Sequence, residues 1–487
     1  MIFSSDAFIF LFLPIWLILF SAFSAWAKKW TNLLILAVSL AFYGFWDVAF
    51  LPIIVASIVV NFAFVAALKR RRRTPLIVAG GVLFNLILLG WFKYQCFFAS
   101  ILGVNLCDPL TASQHLPLAI SFFTFQQIAY LVDIHRHEDA DEKTPSLVDY
   151  AAFVSFFPHL IAGPITRSNE LLKPLEQRAY HISAGTMEIG LAVFLVGFFK
   201  KVFIADPLAL VANPIFAATE VGVVDGLSAI IGVVAFTLQI YFDFSGYSEM
   251  AVGLGLMVGI QLPWNFATPY AAASLIDFWR RWHITLSTLL RDYLYISLGG
   301  SRVGPFRRHY NLMATMLIGG LWHGASWNFI IWGGLHGCFL VANHLLRQAN
   351  VISLPYWLGV LATNILVAFA WIFFRSPTFD GASNMIMSLL TTWDVDAASV
   401  YLAAFGDHFM LPTTSSLDVI AGGITFLVAA YVLALGVRTQ ELMGWYSSLM
   451  GADFGARAIM AIFAALLMAY GMFLQAGSAV EFIYFDF

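Results

Sequence analysis

Long apolar runs, separated by short polar stretches, recur from one end of the chain to the other. Several runs approach about 20 residues, which is the length that a helix needs to cross a bilayer. The first run opens without a basic segment in front of it, which is typical of a retained membrane helix rather than of a cleaved signal peptide. The pattern predicts an all-α polytopic membrane protein with roughly 10 to 13 membrane helices.

Composition agrees with this pattern. The chain has 487 residues, of which 61% are hydrophobic and only 11% are charged. Soluble domains carry about 25% charged residues, so we expect a single membrane domain with no soluble domain appended. The net charge is −3 and neither end carries a charged tail, which gives a nucleic-acid role no support. Cys96 and Cys107 could pair in an oxidising compartment, but we expect both to be unpaired.

The distribution of charge predicts the orientation. A basic run at residues 69–73 follows an apolar run directly, and Lys28 and Lys29 lie two crossings before it. Lys and Arg are retained in cytoplasmic loops, so the N-terminus should be outside. Residues 376–437 contain five aspartates and no Lys or Arg, which predicts an extracytoplasmic polar portion and a C-terminus that returns outside. We expect the basic run to set topology rather than to bind a ligand.

The middle of the chain breaks the regular alternation. Residues 271–308 are too charged to lie in lipid and too apolar to form a plain loop, which predicts interfacial or re-entrant helices inside a protein-lined recess. No internal repeat is visible, which argues against the inverted-repeat plan of many transporters.

Polar side chains inside apolar segments are costly and often functional, and three tracts carry them. In the first, residues 238–256, Gln239, Asp243 and Tyr247 recur every four residues and would form one stripe on a helix. This stripe could pair with a neighbouring helix or could contact a substrate directly. Both interpretations remain open at the level of the sequence.

The second tract, residues 277–302, is rich in arginine and aromatic residues. Asp277 precedes Arg280 and Arg281 by three and four residues, so helical pairing is available. Arginine forks suit phosphate or carboxylate recognition, whereas Trp and Tyr suit a membrane interface. The tract is therefore either an interfacial anchor with internal ion pairs or part of a site in which His283 participates.

The third tract, residues 317–337, carries no formal charge apart from any proton on its histidines. His323 lies between Gly320 and Gly324, whose spacing allows helices to approach closely, as does that of Gly333 and Gly337. Imidazole is the side chain best suited to move a proton near neutral pH. A lone buried histidine is often only packed, yet the setting of His323 favours a catalytic base. We expect a structural role for His336.

The sequence contains no motif for several other kinds of chemistry. The tracts contain no His-x-x-x-His or Cys-x-x-Cys pair, and His135 and His137 are weak metal candidates, so we expect no metal site. There is no phosphate loop, nucleotide fingerprint or Gly-x-Ser-x-Gly elbow.

Taken in order, long tracts of the chain resemble the membrane-bound O-acyltransferase family. They are LPLAISFFTFQQIAYLVDIHR, FFPHLIAGPITR, YFDFSGYS, DFWRRWHITLS, RDYLYISLGG and GLWHGASWNFIIWGGLHG, extended by WIFFR and the aromatic C-terminal end. Within the family, the chain is most similar to the bacterial alginate O-acetylase group, which acetylates exported polysaccharides. The D-alanyl transferases of teichoic acids are a more distant resemblance.

The resemblance implies a fold and a division of the chain. It implies helices around a central funnel or tunnel, with N-terminal helices in residues 1–115 and the catalytic core in residues 116–350. Residues 351–487 would form C-terminal helices with an extracytoplasmic loop near residues 376–418. The implied location is the bacterial inner membrane, with both termini periplasmic.

The resemblance also implies site residues. His323 matches the catalytic histidine of the family, and His283 matches the second histidine-bearing tract. As general base, His323 would take a proton from an acceptor hydroxyl that attacks a thioester carbonyl. Residues expected to bind substrate or shape the site are Trp322, Asn328, Tyr241, Asp243, Tyr247, Asp277, Trp279, Arg280, Arg281 and Trp282.

The expected donor is acetyl-CoA or another acyl thioester that enters from the cytoplasm, and no cofactor should be bound permanently. Arg280, Arg281, Arg307 and Arg308 are candidates to meet its phosphates. The expected acceptor partner is an exported polysaccharide or a periplasmic acyltransferase, with membrane lipid around the protein. The alternatives are a D-alanyl or lipid acyltransferase of the same family, or a transport subunit that carries an acyl group or polymer without chemistry.

Overall fold

The computed structural model describes residues 2–70, 74–104, 116–136, 143–349, 354–409, 415–436, 438–442, 444, 469–471 and 483. Within them, helices dominate and no β-strand occurs. Seven of these helices are long and apolar enough to cross a membrane. The protein is thus an all-α polytopic membrane protein, as predicted. The larger total of roughly 10 to 13 membrane helices and the funnel stay predictions.

The chain divides into two compact units, which are described separately. Unit 1 comprises Met1–Phe194 and Ser248–Trp264, and unit 2 comprises Leu195–Tyr247 and Asn265–Phe487. The helices of unit 1 are α1 (Leu13–Trp26), α2 (Thr31–Gly44), α3 (Leu51–Arg70), α4 (Pro75–Leu89), α5 (Gln95–Ile101), α6 (Ile120–His135), α7 (Leu147–Ser155), α8 (Phe157–Leu160), α9 (Lys173–Gln177) and most of α10 (Ala184–Phe199).

The remaining helices belong wholly or mainly to unit 2. They are α11 (Asp206–Thr219), α12 (Gly226–Met257), α13 (Leu275–Arg281), α14 (Ile284–Leu289), α15 (Pro305–His323), α16 (Trp327–Ala349), α17 (Tyr356–Arg375), α18 (Phe379–Ser388), α19 (Val395–His408) and α20 (Ser416–Gly436). Shorter π-helical segments include Gly90–Tyr94, Lys200–Ala205 and Leu290–Tyr295.

Side-chain amides join the spanning helices of unit 1. The amide of Asn85 in α4 donates to Asn61 Oδ1 in α3 at 2.6 Å, and Asn61 donates back to Asn85 Oδ1 at 3.2 Å. Both residues are fully buried. Reciprocal bonds of this kind satisfy polar groups that lipid could not, so they fix how α3 and α4 meet.

Glycines allow α15 and α16 of unit 2 to pack closely, as predicted. A Cβ on Gly320 would lie 2.2 Å from the carbonyl oxygen of Phe329, and one on Gly333 would lie 2.3 Å from that of Met316. Gly324 and Gly337 instead face the side chains of Phe329 and Met313. At Gly320 and Gly333 the backbones therefore approach to a distance that no other residue type allows.

The polar middle of the chain forms short helices. After α13 and α14 comes the π-helical segment Leu290–Tyr295, and these elements have seven, six and six residues. At about 1.5 Å of rise per residue, none is long enough to cross a bilayer alone. This agrees with an interfacial or re-entrant segment, although its depth in the membrane stays a prediction.

The structure contains a disulfide and two helices that the sequence did not predict. Cys96 is disulfide-bonded, so the expectation that it is unpaired is wrong, while Cys107 lies outside the described residues. The stretch near residues 376–418, expected to be an extracytoplasmic loop, contains α18 and α19, while its side of the membrane stays a prediction. Two of its acidic residues stand at helix starts: Asp380 lies in the first turn of α18, and Asp394 accepts the backbone N–H of Asp396 at 2.9 Å. Carboxylates are favourable at helix N-termini, so both residues stabilise these helices.

Candidate active site

His323 is the last residue of α15, and the chain leaves the helix at Gly324. Its side chain is only 4% exposed. The ring contacts aromatic faces from three elements, with centroid separations of 4.9 Å to Trp322, 5.1 Å to Trp332 in α16 and 5.2 Å to Phe374 in α17. The imidazole is therefore held between aromatic rings at the end of a tightly packed helix pair.

His283 stands between α13 and α14, fully buried, in the left-handed backbone region with φ 42°. Its Nδ1 lies 3.1 Å from Asn265 Oδ1, which also accepts the Thr285 hydroxyl at 2.8 Å. Because an amide oxygen can only accept, Nδ1 carries the proton and Nε2 presents a lone pair. Nε2 has no hydrogen-bond partner within the described part of the chain. Burial lowers the pKa of His283 to about 3, so its ring is neutral near pH 7.

Trp322 connects the two histidines. Its ring centroid lies 6.2 Å from that of His283 and 4.9 Å from that of His323, and its side chain is 3% exposed. The structure thus brings together the three residues that the sequence places in two separate tracts. An imidazole in a dry aromatic setting can accept a proton, which is the chemistry of a general base.

The Asp243 tract lies on α12, and its polar stripe is buried. Asp243 forms an ion pair with Lys201 at 2.7 Å and accepts the backbone N–H of Ile483 at 2.8 Å. Lys201 also pairs with Asp206 at 2.7 Å. These contacts favour the pairing interpretation of the stripe, whereas a role of Asp243 in substrate binding stays a prediction.

The aromatic members of the predicted site form a cluster. Trp282 lies 5.1 Å from Trp371 and 5.1 Å from Phe266 between ring centroids, and Tyr241 lies 5.9 Å from Phe266. Tyr247 is 1% exposed. The cluster packs Trp282, at the C-terminal end of α13, against Trp371 of α17 and Phe266.

The charged residues of α13 behave as their spacing predicts. Arg281 Nε donates to Asp277 Oδ1 at 3.0 Å one turn away, while Arg280 is exposed. Trp279 Nε1 donates to His336 Nδ1 at 3.3 Å, in keeping with the packing role expected of that fully buried histidine. Contact with a donor phosphate stays a prediction for Arg280 and Arg281, and equally for Arg307 and Arg308.

Asn328 is hydrogen-bonded to the chain that follows α17 and does not face an open space. Its amide nitrogen donates to the carbonyl oxygens of Ser376 and Thr378, both at 2.8 Å. The Oδ1 atom is buried and has no hydrogen-bond partner in the described ranges. Asn328 thereby fixes the chain that follows Phe374, one of the rings around His323. Its predicted contact with substrate stays a prediction.

Sequence reasoning missed four contributors to this site. Asn265 sets the proton position of His283, Lys201 neutralises Asp243, and Trp332 and Phe374 enclose His323. Lys201 could have been identified from the sequence, because two adjacent lysines inside an apolar run require buried acidic partners. Asn265 and Phe374 could not, because their role depends on contacts between distant segments. Among the described residues, no group of His, Cys, Asp or Glu could hold a metal ion.

Fold and site together define a polytopic helical membrane protein with a buried histidine centre. The chain matches the membrane-bound O-acyltransferase family across residues 80–376, and it belongs to that family. It is 42% identical to a probable alginate O-acetylase, AlgI, of Azotobacter vinelandii, over 81% of this chain and 79% of that protein. The protein is therefore an O-acyltransferase, as predicted.

Two other relatives extend the comparison. The chain is 36% identical to the peptidoglycan O-acetyltransferase of Helicobacter pylori, over 100% of this chain and 98% of that protein. It is 27% identical to the teichoic acid D-alanyltransferase of Bacillus subtilis, over 54% of this chain and 68% of that protein. The relatives share transfer of a small acyl group and differ in the polymers in their names.

Proposed function

We propose that this protein transfers an acetyl group from a cytoplasmic thioester to a hydroxyl acceptor, for the O-acetylation of an exported polysaccharide. The observation that carries the proposal is the enclosure of His323 by Trp322, Trp332 and Phe374, in a chain that is similar to a probable alginate O-acetylase. A water-poor aromatic enclosure favours transfer to a hydroxyl over hydrolysis of the thioester.

The proposed step uses His323 as a general base. The imidazole accepts the proton of the acceptor hydroxyl while that oxygen attacks the thioester carbonyl carbon. The carbon–sulfur bond then breaks, an ester remains on the acceptor, and the departing thiolate takes the proton back from the imidazolium. Base catalysis of this kind contributes about 10² to 10⁴ in rate. His283, neutral through burial, would orient the acceptor with its Nε2 lone pair.

A transfer assay tests this proposal. Purified protein in vesicles receives acetyl-CoA labelled in the acetyl group, with oligosaccharide acceptor on the opposite side. We expect label in ester linkage on the acceptor and one free thiol released per ester formed. Release of thiol without acceptor-dependent ester, or movement of intact donor into the vesicle lumen, would overturn the proposal.

A second acceptor, peptidoglycan, is favoured by a specific observation. The relative named as a peptidoglycan O-acetyltransferase matches this chain along its entire length, whereas the alginate O-acetylase of Azotobacter vinelandii covers 81% of it. Deleting the gene and measuring ester-linked acetate separately in exopolysaccharide and in muramic acid separates the two. Loss confined to muramic acid would replace the exopolysaccharide with peptidoglycan in the proposal.

The donor is proposed to arrive from the cytoplasm, in an inner membrane that leaves both termini periplasmic. Two observations support this orientation. Lys69 and Arg70 end α3, and Cys96, toward the far end of the next candidate span (Pro75–Ile101), is disulfide-bonded, a state that persists in oxidising compartments. Reporter fusions after Arg70 and after Val104 test it, because only the second should be active in the periplasm. The reverse result would invert the topology.

A further inference from the structure

Three basic side chains meet at the end of the α15–α16 helix pair that lies opposite His323. They are Arg308, near the start of α15, and His344 and Arg347, near the end of α16. Residues 324–326 alone join the two helices, and a Cβ on Gly337 would lie 2.6 Å from Met313 Sδ, so the helices run antiparallel. This register brings Arg308 opposite the turn of α16 that contains His344.

The positive charge of this basic cluster is not balanced by an acid among the described residues. Arg308 and Arg347 both act electrostatically on His344, and Arg347 Nη2 donates to Ser274 Oγ at 3.0 Å. Within the described part of the chain, no carboxylate forms an ion pair with Arg308, His344 or Arg347. The exposed Arg307 adds a further cation next to Arg308. The cluster therefore creates a region of positive potential that an anion would stabilise.

The surroundings of the basic cluster match the headgroup level of a bilayer. Arg347 stands two residues before the end of a candidate membrane span, Trp327–Ala349. Tyr310 of α15, and Tyr356 and Trp357 at the start of α17, are each more than half exposed. Exposed Tyr and Trp side chains are typical of the boundary between hydrocarbon and water. This setting favours contact with the charged groups of lipids.

The donor groups of the cluster restrict which anion it can bind. A guanidinium presents its N–H donors in a planar fork, which matches the oxygen atoms of a phosphate and allows two parallel hydrogen bonds. Basic sites between membrane helices bind the headgroups of anionic lipids in this way. A lipid phosphate also brings hydrocarbon chains, for which exposed apolar residues such as Ile318 and Leu345 offer contact.

We propose that the basic cluster binds the phosphate of an anionic phospholipid, whose acyl chains lie along α15 and α16. A soluble phosphate, such as those of coenzyme A, shares the headgroup chemistry, but the exposed aromatic residues at the same end of the helices favour the lipid. Arg308 precedes His323 by 15 residues of α15, or about 22 Å along the helix, so the site is distinct from the proposed transfer centre. The inference goes beyond the proposed function and does not depend on it.

Photolabelling of the full-length protein in phosphatidylcholine nanodiscs tests the site. The probe is a trace of phosphatidylglycerol with a diazirine close to its phosphate, and labelled peptides are identified by mass spectrometry. We expect labelling around residues 302–310 and 341–349 that excess phosphatidylglycerol removes and excess phosphatidylcholine does not. At fixed ionic strength, coenzyme A and inorganic phosphate should leave the labelling unchanged. Displacement by either soluble phosphate, or equal displacement by the two lipids, would overturn the proposal.

Matched variants separate this cluster from a general attraction between cations and lipid. Arg308→Gln combined with Arg347→Gln should reduce labelling by the trace probe about thirtyfold, or about fivefold for each cation lost. Lys28→Gln combined with Lys29→Gln removes the same charge from an exposed basic pair in unit 1 and should label these peptides like the wild type. Equal labelling of the two variants would overturn the proposal. If the arginine variant aggregates, the competition between lipids on the wild type decides by itself.

Discussion

His283 adopts a backbone conformation that residues with a side chain rarely take. Its φ of 42° and ψ of 56° place it in the left-handed region, at a cost of about 1 kcal/mol or more. Asn265 stabilises the turn, since its carbonyl accepts the backbone N–H of Ile284 at 2.9 Å while its side chain faces His283. The strained turn aligns the imidazole with Trp322, so the conformation serves the placement of the ring.

The variant His283→Asn distinguishes the roles of the two nitrogen atoms of this ring. Its amide can still donate toward Asn265, as Nδ1 does, but it offers no lone pair in place of Nε2. We expect transfer to slow by about 10² with little change in KM, because a group that orients the acceptor acts mainly on kcat. Steady-state kinetics on monodisperse protein provide the measurement. Wild-type kcat in this variant would make the role of His283 purely structural.

The same substitution changes how stability depends on pH. Burial lowers the folded-state pKa of His283 to about 3, while an unfolded histidine has a pKa near 6.5. Between these values the unfolded chain binds more protons, so the free energy of unfolding falls as pH drops below about 6.5. The contribution of one such group reaches about 1.4 kcal/mol per pH unit.

Thermal unfolding in detergent measures this effect between pH 7 and pH 4. The wild-type midpoint should fall more steeply with decreasing pH than that of His283→Asn, whose amide does not titrate. Parallel curves for the two proteins would mean that His283 is accessible to protons in the folded state.

At the scale of elements, the contact between α15 and α16 sets the position of His323. Gly320→Ala would bring a Cβ within 2.2 Å of the Phe329 carbonyl oxygen, and the backbone of α16 could move away only at a large cost in energy. We expect a loss of about 1 to 3 kcal/mol and a lower transfer rate, since the helix pair must separate. Gly334→Ala is the matched control, because its Cβ would lie 3.5 Å from a Leu317 methyl, an ordinary contact. Equal melting temperatures for the two variants would contradict the close-packing account.

A buried lysine joins its own segment to two other elements of unit 2. Lys201, in the segment Lys200–Ala205, lies 2.7 Å from Asp206 of α11 and 2.7 Å from Asp243 of α12, and all three side chains are at most 5% exposed. Removing the cation leaves two uncompensated buried carboxylates, so Lys201→Met should destabilise the protein by about 3 to 5 kcal/mol.

The control for this prediction neutralises the partners as well. Lys201→Met combined with Asp206→Asn and Asp243→Asn should recover part of the lost stability, because no unpaired charge remains. Melting temperatures of the purified single and triple variants measure whether neutralising the partners restores stability. A triple variant that is less stable than the single one would show that hydrogen bonds, rather than charge balance, hold these elements together.

Sequence periodicity predicted the features that depend on residues close together in the sequence. The glycine spacing at Gly320 and Gly333 and the pairing of Asp277 with Arg281 depend on residues close in sequence, and the structure contains both. The Lys201 cluster and the bond from Ile483 to Asp243 join segments far apart in sequence, which periodicity does not encode. Local rules therefore recovered the helices better than they recovered what each polar side chain contacts.

At the scale of the whole molecule, composition and apolar runs were sufficient for the fold class. Seven described helices can cross a membrane, and the chain matches its family over residues 80–376. The histidines were found by their unusual setting in apolar tracts. Two of the three rings that enclose His323 come from α16 and α17, so only the fold reveals Trp332 and Phe374 as parts of that site.

The central claim is that His323 performs acyl transfer, and single-turnover transfer of labelled acetyl from thioester to hydroxyl acceptor tests it most directly. Wild type is compared with His323→Ala and with His309→Ala, a histidine on α15 some four turns away, each at matched protein level in the membrane. We predict that His323→Ala loses transfer by about 10² or more while His309→Ala retains it. Transfer at the wild-type rate by His323→Ala would contradict the account.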